Sequence, residues 1–153
     1  VAGGGTPEAG GFYTVVVSTD GTPFAMRAVE AAFRLAKRDH SKIIVISVVD
    51  TSVLADFEGQ PPPQRERVER ELEHNAEEAV AKVGRLAEDW GVDAEMIVKK
   101  GRPHVEIVTV ATQAEADLIV MGKRSGPRAG RHPVGGVTQR VVEDADCAVL
   151  IVP

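Results

Sequence analysis

The chain has a single cysteine, Cys147, among its 153 residues. An intramolecular disulfide is therefore excluded, and nothing points to an oxidising compartment. Aromatic residues make up only 4 % of the chain, too few to stack on successive bases of a nucleic acid strand. A surplus of basic charge is also missing. With 18 Lys and Arg against 23 Asp and Glu the formal net charge is −5, which argues against a general nucleic-acid binder. No apolar run reaches the roughly 20 residues that span a bilayer, so no membrane association is expected. Residues 1–11, VAGGGTPEAGG, have no positive end followed by an apolar core. They read as a flexible tail rather than a signal peptide, and the cytoplasm is the expected location. His40, His74, His104 and His132 lie far apart and form no Cys/His ligand pattern, so zinc is not expected. Neither GxSxG nor GxxxxGK(S/T) occurs, and no spaced catalytic set stands out.

What the chain does contain is an alternation of apolar runs and amphipathic stretches, in a length that suits one domain with a full core. Phe12–Ser18 is β-branched and nearly all apolar, as expected of a strand covered on both faces. Thr22 offers an N-cap with Pro23 at the first helical position, and a helix through Phe24, Ala28, Ala32 and Leu35 reaches about Arg38. Ile43–Val49 is a second buried strand. The mixed, proline-rich stretch from Asp50 to Pro63 is expected to be a loop. Val68, Leu72, Ala76, Ala79, Val83, Leu86 and Trp90 recur at helical spacing, and Gly91 ends that helix. The stripe lasts about three heptads, too short for a coiled coil, and reads as core packing.

A half-exposed third strand (Val92–Lys99), a helix opened by Gly101-Arg102-Pro103, and a buried fourth strand (Asp117–Met121) follow. A glycine-rich basic loop then leads to a short helix near Val137–Asp144 and a last strand, Cys147–Val152. Cys147, at the start of that strand without an activating neighbour, reads as an inert core thiol. Strands alternating with helices predict a doubly wound parallel α/β sheet. In such sheets ligands bind beyond the carboxyl ends of the strands where strand order reverses. That rule singles out Ser18-Thr19-Asp20-Gly21 and Met121-Gly122.

In order and spacing, VVVSTDGTPFAMRAVEAA, ISVVD, GRPHVEIV, DLIVMG and GGVTQRVVEDADCAVLIVP resemble the universal stress protein family over residues 12–153. The resemblance implies a five-stranded parallel sheet of order 3-2-1-4-5, an adenine-nucleotide alpha-hydrolase-like fold with helices on both faces. Some members bind ATP through a loop written G-x2-G-x9-G-(S/T). In MGKRSGPRAGRHPVGGVT, aligned without a gap, Gly122 and Gly135 match the first and third glycines. Ser125 replaces the second, and Gly136 stands where a hydroxyl residue is expected. An alignment on Gly126 and Gly136 needs one inserted residue and puts Val137 at the hydroxyl position. The resemblance implies a nucleotide site formed by Thr19, Asp20, Val48, Met121, Gly122, Arg124, Ser125, Gly135, Gly136, Val137 and Thr138. Asp20 has two readings, a nucleotide contact or a carboxylate shaping the turn before the next helix. Val48 would pack near the adenine and Arg124 near phosphate; otherwise the first is core and the second a solvated loop charge.

Physically the departures pull in opposite directions. Phosphates are held mainly by backbone N–H groups at glycine-rich turns and helix N-termini, which Gly135 to Thr138 still supply. Without a hydroxyl at Gly136, one hydrogen bond to a charged group is lost, about 1.5–3 kcal/mol. Ser125 adds a Cβ where close approach is needed. Lys123, Arg124, Arg128, Arg131 and His132 place cations in the same loop. Three functions follow: a stress-response domain that binds ATP, with magnesium, and signals to a regulatory protein partner; an interaction module whose phosphate loop has degenerated; and a slow ATPase. The uncharged edge CAVLIV, if it is the last strand of the sheet, calls for a cover, and the resemblance implies a homodimer joined through it.

Overall fold

The structure, a computed structural model, describes residues 10–124 and 134–153. The chain runs β1 (Thr14–Ser18), α1 (Pro23–Asp39), β2 (Lys42–Asp50), α2 (Thr51–Ala55), α3 (Pro62–Trp90), β3 (Ala94–Gly101), α4 (Pro103–Gln113), β4 (Leu118–Gly122), α5 (Gly136–Asp144) and β5 (Ala148–Val152). All neighbouring strands are parallel, in the order β3-β2-β1-β4-β5. The five strands and their order are those the resemblance implies.

Strand periodicity divides the core in two. Val15 and Val17 face one side of the sheet, where Ala28, Val29, Ala32 and Phe33 of α1 and Val83 and Ala87 of α3 cover them. Val16 points the other way, with Ile44, Ile46 and Ile119, onto Ile107, Val110 and Ala111 of α4 and Val141 of α5. A strand buried on both faces must be apolar at every position, which is why TVVVS and LIVMG read as unbroken runs. On the first face Phe33 and Trp90 meet edge to face at 6.0 Å, joining α1 to the end of α3.

Thr22 caps α1 as expected, its Oγ1 accepting from Ala25 N at 3.3 Å, with Pro23 in the first turn. Gly91 ends α3 in the left-handed region (φ +65) and donates to the last turn. The stretch from Asp50 to Pro63 is not simply a loop. It contains α2, whose N-cap Asp50 accepts from Ser52 N (2.9 Å) and Ser52 Oγ (2.6 Å) through Oδ1. α3 begins at Pro62, before the apolar stripe does, because proline at the first helical position lacks only an N–H that would have no partner. At the front of the sheet Phe12 is not in β1; its N–H donates to Asp39 Oδ2 at 3.2 Å.

Asp39 is buried at the end of α1 and also accepts from Arg38 Nε (2.7 Å) and Nη2 (3.1 Å). The Arg38 guanidinium holds this carboxyl below the usual carboxylate range. A depressed folded pKa contributes stability above the unfolded value, about 3.9, and loses it as pH falls through the folded one. Asp39→Asn is therefore less stable than wild type at pH 7, and the gap narrows below about pH 4. Urea denaturation of both proteins from pH 7 to pH 3 reads that convergence.

Candidate functional site

β1 lies at the centre of the sheet, with β2 on one side and β4 on the other. Chain order reverses between them, and the carboxyl ends open into a cleft of about 930 Å³. That volume suits a nucleotide-sized ligand.

The turn after β1 is built from its own side chains. Thr19 N donates to Ile46 O at 2.9 Å, extending the β1–β2 pairing by one bond. Gly21 takes φ +79, which a side chain would strain, and its N–H donates to Thr19 Oγ1 at 3.1 Å. Asp20 Oδ1 accepts from Thr22 N (3.0 Å) and Thr22 Oγ1 (2.6 Å). Through Oδ1, Asp20 thus shapes the turn that caps α1, one of its two readings, while it also lines the cleft.

The other wall is formed by β4 and α5. Gly122 ends β4 against the first turn of α1. A Cβ built there would lie 3.3 Å from Phe24 O and 3.4 Å from Arg124 O, so packing by itself favours glycine. Thr138 is fully buried, and its Oγ1 donates to Gly122 O at 2.9 Å. Gly135 is the N-cap of α5 and has no side chain to offer; its own N–H donates to Lys123 O at 2.9 Å. The helix provides no acceptor for the N–H groups of Gly136, Val137 and Thr138. Around Gly136 a Cβ would meet no atom of the described residues within 4 Å.

Eight of the eleven residues singled out from the sequence line this cleft: Thr19, Asp20, Val48, Met121, Gly122, Arg124, Val137 and Thr138. Gly135 and Gly136 are not among its lining residues but form the start of α5 beside it. Ser125 lies outside the described residues, as do Arg128, Arg131 and His132. The structure adds Ser47, Ser52, Asp50 and Asp56 from β2 and its sequel, and Leu72 and Asn75 from α3. Ser47 had a visible signal, the one hydroxyl inside the apolar run IIVISVV. The rim of the cleft is acidic at Asp20, Asp50 and Asp56, and Arg124 is the cation among the described lining residues. Its Nε is buried without a hydrogen-bond partner among the described residues.

Cys147 belongs elsewhere. It is half-buried in a separate crevice of about 210 Å³ between α4 and the segment that joins α5 to β5, which shares no lining residue with the cleft. Burial, then the nearby Asp117 and Asp146, pushes its thiol pKa up, away from the reactive thiolate. Among the described residues no helix is long and apolar enough to cross a membrane.

The sequence profile of the universal stress protein family matches residues 11–153. A universal stress protein of Methanocaldococcus jannaschii is 36 % identical over 139 residues, covering 90 % of this chain and 80 % of the relative. The fold is shared with a universal stress protein from Lactobacillus plantarum (TM-score 0.78, 24 % identity, 94 % of this chain and 99 % of that one). It is also shared with a universal stress protein in complex with cAMP (TM-score 0.66, 26 % identity, 93 % and 97 % covered). With the strand order and the profile match in agreement, the chain belongs to the universal stress protein family.

Proposed function

We propose that this chain is a stress-response domain of the cytoplasm that binds ATP or a related adenine nucleotide and passes its occupancy to a regulatory protein partner. The observation that carries this reading is one cavity at the β1–β4 switch point, with an apolar wall, a helix N-terminus whose first N–H groups have no acceptor within the helix, and a cation. Ile46, Val48 and Met121 offer apolar surface for a base. Gly136, Val137 and Thr138 offer N–H groups to phosphate, with Arg124 close by in the same lining. A related protein crystallised with cAMP supports an adenine nucleotide as the ligand class. A ligand that binds only the folded state raises its melting temperature by mass action, by about 2.7 kcal/mol at one hundred times Kd. Millimolar ATP with magnesium is expected to raise Tm in a thermal scan, and nucleotide to be released when the purified protein is denatured. Neither effect would leave the second reading, an interaction module with an emptied site, which Ser125 and Gly136 at the motif positions favour.

Gly136 gives a sharper test because no described residue crowds it. Gly136→Ser restores the family's hydroxyl at the first helical position without a clash, and should tighten ATP by up to about tenfold, since 1.4 kcal/mol is one decade. Gly136→Ala adds helix propensity and no donor. At the first helical position, outside the helix interior, it should change fold stability little and leave affinity unchanged. Calorimetric titration separates the two variants.

The chain also acts as a homodimer through β5 in this reading. β5 is an edge strand, AVLIV carries no charge, and Leu150 is 38 % exposed on the face that α1 covers further in. Such an edge pairs readily with another strand unless it is covered. Leu150→Lys is expected to shift wild-type dimer toward monomer, because the interface would bury an unpaired charge. Light scattering behind a sizing column measures it; a wild-type mass near 16.3 kDa would defeat the dimer.

A further inference from the structure

We propose that the Thr138 side chain positions this cleft: its hydroxyl, which does not itself reach the ligand, clamps the first turn of α5 to the end of β4 and so sets ligand affinity. The part of the inference that concerns affinity rests on the nucleotide reading above. Thr138 is fully buried, and its hydroxyl proton is committed to the Gly122 carbonyl at 2.9 Å. A hydroxyl that has donated its one proton keeps only acceptor lone pairs. An ionised phosphate oxygen is itself an acceptor, so this side chain has no hydrogen bond to offer it.

The bond is one of an adjacent pair. Gly122 O accepts from Thr138 Oγ1, and the next carbonyl, Lys123 O, accepts from Gly135 N at 2.9 Å. Between these two anchors on α5 sit Gly136 and Val137, whose N–H groups the helix cannot satisfy. The anchoring strand is fixed in turn. Gly122 packs on the first turn of α1 and Lys123 N donates to Val152 O at 2.7 Å. Two donors that the helix itself leaves without an acceptor are thus held between two internal hydrogen bonds before any ligand arrives. Donors ordered in advance spare binding the entropy of fixing them.

Thr138→Val keeps the shape and removes the donor, leaving Gly135–Lys123 as the remaining anchor; Thr138→Ser keeps the hydroxyl. The full chain in all three forms is titrated with magnesium ATP, and amide hydrogen exchange is followed without nucleotide. In Thr138→Val, ATP affinity should fall about tenfold, equivalent to about 1.4 kcal/mol. Exchange at Gly135 and Gln139 should accelerate while Val15–Val17 of the sheet keep their protection. Thr138→Ser should stay within about twofold of wild type in both measurements. Unchanged affinity in Thr138→Val overturns the proposal, as does exchange that accelerates equally across the sheet, or a Thr138→Ser variant that fails like valine. If wild type takes up no ATP, the nucleotide reading falls on its own. The clamp is then decided by exchange alone: local acceleration in valine but not serine sustains it, and its absence overturns it.

Discussion

The carboxylate of Asp117 grips the start of β1, and the site at the far end of the sheet depends on that grip. Oδ2 accepts from Tyr13 N at 2.8 Å and Oδ1 from Thr14 N at 2.9 Å, while Asp117 N donates back to Thr14 O at 3.1 Å. Residues more than a hundred positions apart are thereby brought into register, so that Val15 faces Leu118 and Val17 faces Val120. A one-residue slip here would turn every β4 side chain to the wrong face. It would also move Gly122 away from the first turn of α1, where no Cβ fits without displacing backbone. The cleft exists because β1 and β4 are neighbours in this register and their following segments leave in opposite directions.

Around that frame, short polar side chains do two jobs at once. Asp20 and Thr22 close the turn after β1, and Asp50 and Ser52 close the turn after β2, each pair with an aspartate accepting from the backbone two residues on. Both aspartates also line the cleft, so local turn chemistry leaves an acidic rim. An anionic ligand enters such a rim only if cations and N–H groups outweigh it deeper in. Arg124 and the start of α5 are the described groups able to do so. Among the described lining residues three carboxylates stand against this one cation, so the rim shares the sign of the protein's net charge of −5 and the N–H groups of α5 must supply the rest of the attraction.

What the sequence revealed followed the range of the interactions. α1 begins where Thr22-Pro23 says it should, because an N-cap and a proline at the first helical position act within three residues. The central strands β1, β2 and β4 were legible because two-sided burial leaves little room for polar positions to blur the run. α2 was not, since five residues carry no periodic stripe and its capping pair, Asp50 and Ser52, sits against the end of a strand. The start of α3 was hidden in three prolines with no side-chain cap to mark it. In the site, the ends of β1 and β4 could be found by the switch-point rule, but Leu72 and Asn75 enter the cleft only through packing of α3 across the sheet. Thr138 was legible as a motif position and not as a clamp, because the partner of its hydroxyl lies 16 residues away across the loop.

The two edges of the sheet are built differently, and the difference bears on the site. β3 carries Glu95, Lys99 and Lys100, with Lys42–Glu95 paired at 3.6 Å and Lys100 paired with Glu69 and Glu73 of α3. Charges on an edge discourage a further strand from adding to it. β5 has no such protection. It is also the edge bonded to the α5 side of the cleft: Val152 O accepts from Lys123 N, and Lys123 O holds the N-cap of α5. A strand paired to β5 in the proposed dimer and a ligand at the start of α5 would therefore act on one backbone unit, residue Lys123, the first through its N–H and the second through its carbonyl. Any free energy by which one stiffens that unit in favour of the other must work equally in reverse. The unprotected edge thus stands one residue from the loop that would sense the nucleotide, where self-association and occupancy can report on each other without a long route through the core.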